Sequence, residues 1–189
     1  MGCGGSTPEK TKNTSNANGL SGQHRIKVVL GGDGDVGKTS IINRFKDNTF
    51  KENEKPENTP KGTVNKKEIT VDKAQVTIDL VDLAIDVEAT SSDFAGAHVF
   101  VGVCDLSNSE SLSNVRNFIG LANRFVQNDD FKKFVCANKT DLEAVVTDDE
   151  INDMVNRTES SKAFKVCAKT GEGIDQMFVE IAKIVLGAK

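Results

Sequence analysis

The sequence predicts an α/β fold in which helices cover both faces of one β-sheet. Short β-branched or apolar runs alternate with longer segments of helical apolar spacing along most of the chain, and this alternation is typical of such sheets. The run "HVFVGVCD" is almost continuously apolar, which indicates a strand buried on both faces. The composition agrees, because 37% hydrophobic and 28% charged residues among 189 describe an ordinary soluble domain.

Residues 1–24 differ in composition from the rest of the chain. They read "MGCGGSTPEKTKNTSNANGLSGQH" and are rich in Gly, Ser, Thr and Asn. Such a stretch cannot bury enough apolar surface to order itself. We therefore predict a flexible N-terminal tail over residues 1–24 and one folded domain over residues 25–189.

The first half of the domain predicts strand, helix, strand and strand in that order. "IKVVL" is a short β-branched run, and "KTSIINRFKD" places Ile41, Ile42 and Phe45 at helical spacing. "TVNKKEITV" alternates between apolar and polar residues, and "AQVTIDLV" again has the pattern of a strand. The last of these strands ends on a carboxylate, Asp82.

The second half predicts strands that alternate with amphipathic helices. "HVFVGVCD", "KFVCANK" and "AFKVCAK" have the pattern of strands, and "TDDEINDMVNR" opens with the acids that favour a helix N-terminus. "ESLSNVRNFIGLANRFVQN" and "GIDQMFVEIAKIVLG" have helical apolar periodicity. The inward positions of these two helices are Leu112, Val115, Phe118, Ile119, Ala122 and Phe125 in the first, and Ile174, Met177, Phe178 and Ile181 in the second.

Charge, hydropathy and cysteine spacing exclude several classes of function. A net charge of −4 gives no basic stripe for nucleic acid, and no apolar run approaches the roughly 20 residues of a membrane-spanning helix. The four cysteines are far apart and three of them lie in apolar segments, which predicts reduced, buried thiols. His24 lies in the tail and His98 precedes a strand, so neither is placed to activate a cysteine nucleophile.

The stretch "GDGDVGKT" matches the phosphate-loop pattern G-x-x-x-x-G-K-[ST] between a predicted strand and a predicted helix. Its glycines let the backbone curl around phosphate oxygens, so that successive N–H groups point at the anion. Lys38 supplies a cation for the β- and γ-phosphates, and the Thr39 hydroxyl can bind Mg²⁺. The predicted phosphate-binding residues are Gly32, Asp33, Gly34, Asp35, Val36, Gly37, Lys38, Thr39 and Ser40.

Two further stretches, each at a predicted strand end, indicate which base is bound. "NKTD" contains Asn138, Lys139 and Asp141, and a carboxylate at Asp141 can accept hydrogen bonds from N1–H and the 2-amino group of guanine. Adenine offers no such pair of donors, so this acid selects GTP over ATP. In "CAKTGEG", an N–H near Ala168 can meet the guanine carbonyl, and the stem of Lys169 can cover the base.

The order "GDGDVGKT", "NKTD", "CAKTGEG" resembles that of the Ras superfamily of small GTPases, and "TSSDFAGAHVFVGVCDLSNSESLSNV" is most similar to the Rab branch. The resemblance extends from Ile26 to Leu186. It implies a P-loop NTPase G domain, an α/β fold with a six-stranded, mostly parallel sheet flanked by about five helices. It also implies that the protein cycles between a GTP-bound and a GDP-bound form. It also implies that Phe50 lies against the edge of guanine, and that Cys167 takes the place of Ser in the family's "SAK".

The resemblance further implies a Mg²⁺ site made by Thr39, Asp82 and a threonine of the first switch. Asp82 is expected to hold the Mg²⁺ shell through water at the carboxyl edge of the sheet. Counting back from Asp82 without gaps favours Thr59 as the switch threonine, with Thr63 as the alternative.

The second switch departs from the family pattern. D-x-x-G-Q is represented by Asp82-Leu83-Ala84-Ile85-Asp86. The glycine is thus a stiff Ile85, and the glutamine that orients the attacking water is an acid, Asp86. Because phosphoryl transfer depends on positioning and charge stabilisation, we expect slow GTP hydrolysis with nucleotide binding retained, and no residue is assigned as certainly catalytic.

The N-terminus carries a candidate membrane anchor. "MGCGGS" matches the N-myristoylation pattern at Gly2, and the neighbouring Cys3 is placed for palmitoylation. The sequence ends "IVLGAK" without a cysteine for prenylation. Two acyl chains hold a membrane stably where one does so only marginally, so we expect the protein at the cytoplasmic face of a membrane, with a cytosolic pool.

The partners and the competing functions follow from this interpretation. The resemblance implies exchange factors and effectors as partners, and we expect a monomer that binds no nucleic acid. A nucleotide-stabilised binding module without turnover is the alternative function. An ATP-using P-loop kinase is disfavoured by "NKTD" and "CAK".

Overall fold

The computed structural model describes residues 22–52, 64–83 and 89–187. Within these residues the chain forms six strands and five helices. In chain order they are β1 (Gln23–Gly31), α1 (Lys38–Asp47), β2 (Val64–Val71), β3 (Ala74–Asp82), α2 (Ser91–Phe94), β4 (Val99–Asp105), α3 (Ser109–Phe125), β5 (Lys132–Asn138), α4 (Asp148–Thr158), β6 (Lys162–Lys165) and α5 (Ile174–Leu186).

The six strands form one sheet in the order β2-β3-β1-β4-β5-β6. β2 pairs antiparallel with β3, and every other neighbouring pair is parallel. The six-stranded, mostly parallel sheet expected from the sequence is therefore confirmed. Because β1, β3, β4, β5 and β6 run in the same direction, the loops that follow them lie along one edge of the sheet, where α/β proteins bind ligands.

Helices cover both faces of this sheet. Val28 and Leu30 of β1 belong to an apolar cluster that includes residues of α1 and α5, whereas Val29 belongs to a second cluster with residues of α2, α3 and α4. On the first face, the rings of Phe45 and Phe178 stack with centroids 4.0 Å apart and join α1 to α5. Alternate strand residues thus bury themselves under different helices, as expected for a sheet that is covered on both sides.

Three elements differ from their sequence patterns. β1 begins at Gln23, three residues before the apolar run "IKVVL" that predicted it. α2 is a single turn, too short for apolar periodicity to reveal, and a capping box between Thr90 and Asp93 holds it. β6 ends at Lys165 although the apolar pattern continues through Ala168, because after a last bond from the Val166 N–H to Ala137 O of β5 the chain bonds elsewhere. The Cys167 N–H donates to Glu172 O (2.9 Å), and the Ala168 N–H donates to Asn138 Oδ1 (3.0 Å).

The three cysteines of the described residues, Cys104, Cys136 and Cys167, are buried and free of disulfide bonds, as expected. Burial, with a smaller contribution from the neighbouring Asp105 carboxylate, raises the pKa of Cys104 to about 12. Burial also raises the pKa of Cys136. Both thiols therefore stay protonated near neutral pH and are poor nucleophiles.

In the part of the chain that the structure describes, none of the helices combines the length and apolar character needed to cross a bilayer.

Candidate functional site

The loop between β1 and α1 has a backbone that only glycine can adopt at two positions. Gly32 has φ +153°, and a Cβ there would lie 2.2 Å from Val103 O of β4. Gly37, immediately before α1, has φ +95°, and a Cβ there would lie 2.4 Å from Asn138 Nδ2. The two glycines of the phosphate-loop pattern therefore stand where the loop presses against its neighbours.

Lys38 is the first residue of α1, and its side chain folds back over the loop. Its Nζ donates to Gly32 O (2.9 Å) and Asp33 O (2.8 Å), and the residue is 8% exposed. The ammonium group and the N-terminus of α1 are thus adjacent, and both favour an anion. This arrangement is suited to binding phosphate.

The two acids of the loop have different surroundings. Asp33 Oδ2 accepts a hydrogen bond from Asn114 Nδ2 of α3 (2.8 Å). Asp35 is exposed and has φ +59°, a left-handed backbone that a non-glycine residue seldom adopts. The bond from Asn114 therefore fixes the Asp33 carboxylate against α3.

Thr39 and Asp82 meet at the mouth of the loop. The parallel register pairs Leu30 of β1 with Asp82 of β3, and the Thr39 hydroxyl donates a hydrogen bond to the Asp82 carboxylate. These are hard oxygen ligands of the kind that Mg²⁺ prefers. The described residues contain no cluster of three or more His, Cys, Asp or Glu suited to a metal, so Mg²⁺ here would need further oxygens from phosphate or water.

Asn138, at the end of β5, joins the phosphate loop to the loop after β6. It is 1% exposed. Its Nδ2 donates to Val36 O (2.9 Å), and its Oδ1 accepts from the Ala168 N–H (3.0 Å). One buried side chain thereby fixes the spacing between the predicted phosphate-binding and base-binding segments.

Asp141 lies beside Cys167 at the same edge of the sheet. The Cys167 thiol donates to Asp141 Oδ1 (3.1 Å), and the Thr170 N–H donates to Cys167 Sγ (3.4 Å). Asp141 itself is exposed. Its carboxylate is thus anchored on one side by the thiol that replaces the expected serine.

α1 also anchors the loop after β6. Arg44 Nε donates to Ala168 O (2.9 Å), and Arg44 Nη2 donates to Lys169 O (2.5 Å). Lys169 Nζ in turn bonds Glu52 (2.9 Å), and this hydrogen bond raises the pKa of Lys169. Phosphate loop, α1 and base-binding loop are thereby connected through charged side chains.

Lys139 forms an ion pair with Asp105 at the end of β4. Its Nζ lies 2.7 Å from Asp105 Oδ2. Partial burial alone would raise the pKa of Asp105, but hydrogen bonds from Lys139 and Ser107 outweigh it and lower the pKa below the usual value. The carboxylate is therefore ionised near neutral pH.

Some of the remaining predicted site residues lie within the ranges that the structure describes, and the others lie outside them. Phe50 is half-buried against the first apolar cluster. Ser40 lies in the first turn of α1 and is half-buried. The predicted residues that lie outside the described ranges are Gly2, Cys3, Thr59, Thr63, Ile85 and Asp86.

The sequence patterns did not reveal four residues that support the site: Arg44, Glu52, Asp105 and Asn114. Each contacts a residue of the predicted site. None lies in a short motif, and their partners are remote in sequence, by 124 residues for Arg44 and Ala168. Asp105 alone carries a signal, since it ends a buried strand as Asp82 does.

Comparisons with known proteins agree with this geometry. Residues 27–187 match the model of the Ras family. The chain is 28% identical over 157 residues to the Ras-related protein RabC of Dictyostelium discoideum, covering 80% of this chain and 79% of that protein. It is 29% identical to the Ras-related protein Rab-21 of Geodia cydonium, with 87% and 72% covered. It is also 28% identical to the GTP-binding protein YPT52 of Saccharomyces cerevisiae, with 84% and 81% covered.

Proposed function

The chain belongs to the Ras family and is similar to Rab proteins, and we propose that it is a membrane-anchored switch in vesicle trafficking or signalling that binds GTP and GDP with Mg²⁺ and hydrolyses GTP slowly. Its relatives support a Rab-like small GTP-binding protein. The anchor, the metal and the slow turnover are our proposals.

The observation that carries the proposal is the position of Asn138. Its amide bonds Val36 in the phosphate loop and Ala168 in the loop after β6. A nucleotide has the parts to span the two loops, with a phosphate chain at one end and a base at the other. Asp141, beside the second loop, then selects guanine, because a carboxylate accepts from the two donors on that edge of the base.

Each side chain at the phosphate end of the site has a proposed role. Lys38 binds the β- and γ-phosphate oxygens, and the loop N–H groups donate to them. Thr39 and Asp82 would hold Mg²⁺, which supplies charge neutralisation for the phosphates. Thr59, with Thr63 as the alternative, would complete this shell when a γ-phosphate is present.

We predict a single-turnover GTP hydrolysis rate constant below about 10⁻⁴ s⁻¹ for the purified protein with Mg²⁺, less than the intrinsic rate of an active small GTPase. The reason lies in Asp86, which cannot orient the attacking water as glutamine does and adds negative charge beside the γ-phosphate. Timed separation of GTP and GDP measures the rate. The Asp86→Gln variant is expected to be at least about tenfold faster. A family-typical rate in the unaltered chain would contradict the proposal.

The second candidate is a binding module in which GTP is structural and never hydrolysed. Ile85 and Asp86, in place of glycine and glutamine, favour it. The two candidates differ in two observables. A switch loses γ-phosphate over hours and binds a partner differently in its GDP and GTP forms, whereas a structural nucleotide does neither.

We further predict that Gly2 is myristoylated and Cys3 palmitoylated when the full chain is made in a eukaryotic cell. The text "MGCGGS" provides both acceptors, and together the two acyl chains give stable membrane attachment. The intact mass of the protein measures both modifications. Gly2→Ala is the control, and it should remain unmodified in the soluble fraction. An unmodified N-terminus in the original chain would sink this proposal.

Exchange factors and effectors are the proposed protein partners, with the protein itself a monomer at the cytoplasmic face of a membrane. Val64, on the edge strand β2, is 43% exposed, and its cross-strand partner Val81 is 4% exposed. Rab-like proteins usually carry Phe and Trp at these positions. The small exposed side chain of Val64 predicts effectors that differ from those of typical Rab proteins.

A further inference from the structure

An acidic side chain at the end of β4, outside the loop motifs, contacts the "NKTD" stretch. Asp105 is the last residue of that strand, and the parallel register pairs it with Asn138 of β5. Lys139, the residue that follows β5, is therefore within reach, and its Nζ lies 2.7 Å from Asp105 Oδ2. The two side chains are 30% and 12% exposed, so water screens this pair only in part.

Hydrogen bonds to Ser107 and Ser111 hold Asp105 in place independently of Lys139. Its Oδ1 accepts from the Ser107 N–H (2.8 Å) and from Ser107 Oγ (2.7 Å). Its backbone N–H donates to Ser111 Oγ in the first turn of α3 (2.9 Å). The loop between β4 and α3 thus aims Oδ2 at Lys139, while Oδ1 is occupied.

The backbone of Lys139 is fixed as well. Its φ of +66° is left-handed, the Leu142 N–H donates to Lys139 O (3.0 Å), and the Thr140 N–H donates to Val166 O (3.3 Å). With both ends of the side chain held, the aliphatic stem between them has few conformations left. A lysine stem costs much rotamer entropy to order, and here the protein orders it before any ligand binds.

We propose that Asp105 positions Lys139 for nucleotide binding, so that the Lys139 stem lies ready against the face of the base. This inference rests on the proposed function. It concerns the face of the base, whereas Asp141 reads its edge. Loss of Asp105 should therefore weaken binding of GDP and of inosine diphosphate, which lacks the 2-amino group, by the same factor.

The test is the rate of nucleotide dissociation from the full chain. Asp105→Asn keeps an acceptor for Ser107 and removes the charge that holds Lys139. It should raise the GDP dissociation rate about tenfold, the loss expected for a hydrogen bond between charged groups, with the ratio of GDP to inosine diphosphate affinity unchanged. Asp153→Asn, which breaks a surface ion pair with Arg157 on α4, is the matched control and should leave the rate unchanged.

A double-mutant cycle separates positioning from general structural damage. Lys139→Met keeps most of the stem and removes the ammonium group, so Asp105→Asn should have no further effect in that background. If Asp105→Asn does not fold, Ser107→Ala loosens the same carboxylate and should raise the rate about threefold, an effect also absent with Lys139→Met. Additive effects, or a wild-type rate in Asp105→Asn, would overturn the inference. Failure of the unaltered chain to bind GDP would overturn the proposed function and this inference with it.

Discussion

Replacing Asp141 with alanine is expected to lower the affinity for GTP by about 100-fold or more. In the proposed site this carboxylate would accept two hydrogen bonds from guanine, and hydrogen bonds to a charged group contribute about 1.5 to 3 kcal/mol each. The affinity for ATP, which offers no such donor pair, should stay at its low starting value. The variant should therefore lose most of its preference between the two nucleotides while it still folds, because Asp141 is exposed.

Equilibrium titration of nucleotide-free protein with GTP and ATP measures both affinities. Asp129→Ala is the matched control, since Asp129 is an exposed acid in the loop between α3 and β5. It should change neither value. A GTP affinity within a few-fold of the unaltered protein in Asp141→Ala would mean that the base is read elsewhere.

Gly32→Ala is expected to lower the free energy of unfolding by about 3 kcal/mol, through backbone strain and overpacking together. The added Cβ would lie 2.2 Å from Val103 O at φ +153°. The obstacle is backbone in the central strand β4, which cannot turn aside as a side chain can. The loop between β1 and α1, or strand β4, must therefore shift, and the N–H groups proposed to bind phosphate would shift with it.

Urea denaturation of nucleotide-free protein measures the change. Gly34→Ala is the matched control within the same loop, because a Cβ at Gly34 meets no atom within 4 Å. Its free energy of unfolding should change by no more than about 0.5 kcal/mol. Equal losses in the two variants would show that the loop is not pressed against β4 in solution.

Periodicity predicted most of the elements because their patterns are long and local. α1 occupies Lys38–Asp47, the stretch whose apolar spacing indicated it. α4 begins at Asp148, and a capping box between Thr147 and Glu150 closes its N-terminus. The run of acids in the sequence predicted a helix N-terminus there. Local patterns did not reveal α2, which has one turn, or the end of β6 at Lys165, after which Cys167 and Ala168 bond outside the strand ladder.

Short motifs predict the chemistry of the proposed site, but they do not predict the side chains that support it. Lys38, Thr39 and Asp141 each fall in a pattern whose letters carry their role. The pairing of Asp105 with Lys139 depends on the register between β4 and β5. The contact of Arg44 with Ala168 depends on how α1 packs beside the loop after β6. Such pairings exist only once the sheet is assembled.

The most direct test of the account is identification of the nucleotide that the purified full chain releases on denaturation, after it has been loaded from an equal mixture of GDP and ADP with Mg²⁺. Guanine nucleotide is expected at close to one mole per mole of protein, with adenine nucleotide near background. Release of ADP, of an equal mixture or of no nucleotide would contradict it. Any of these results would mean that the loops joined by Asn138 do not form a guanine-nucleotide site.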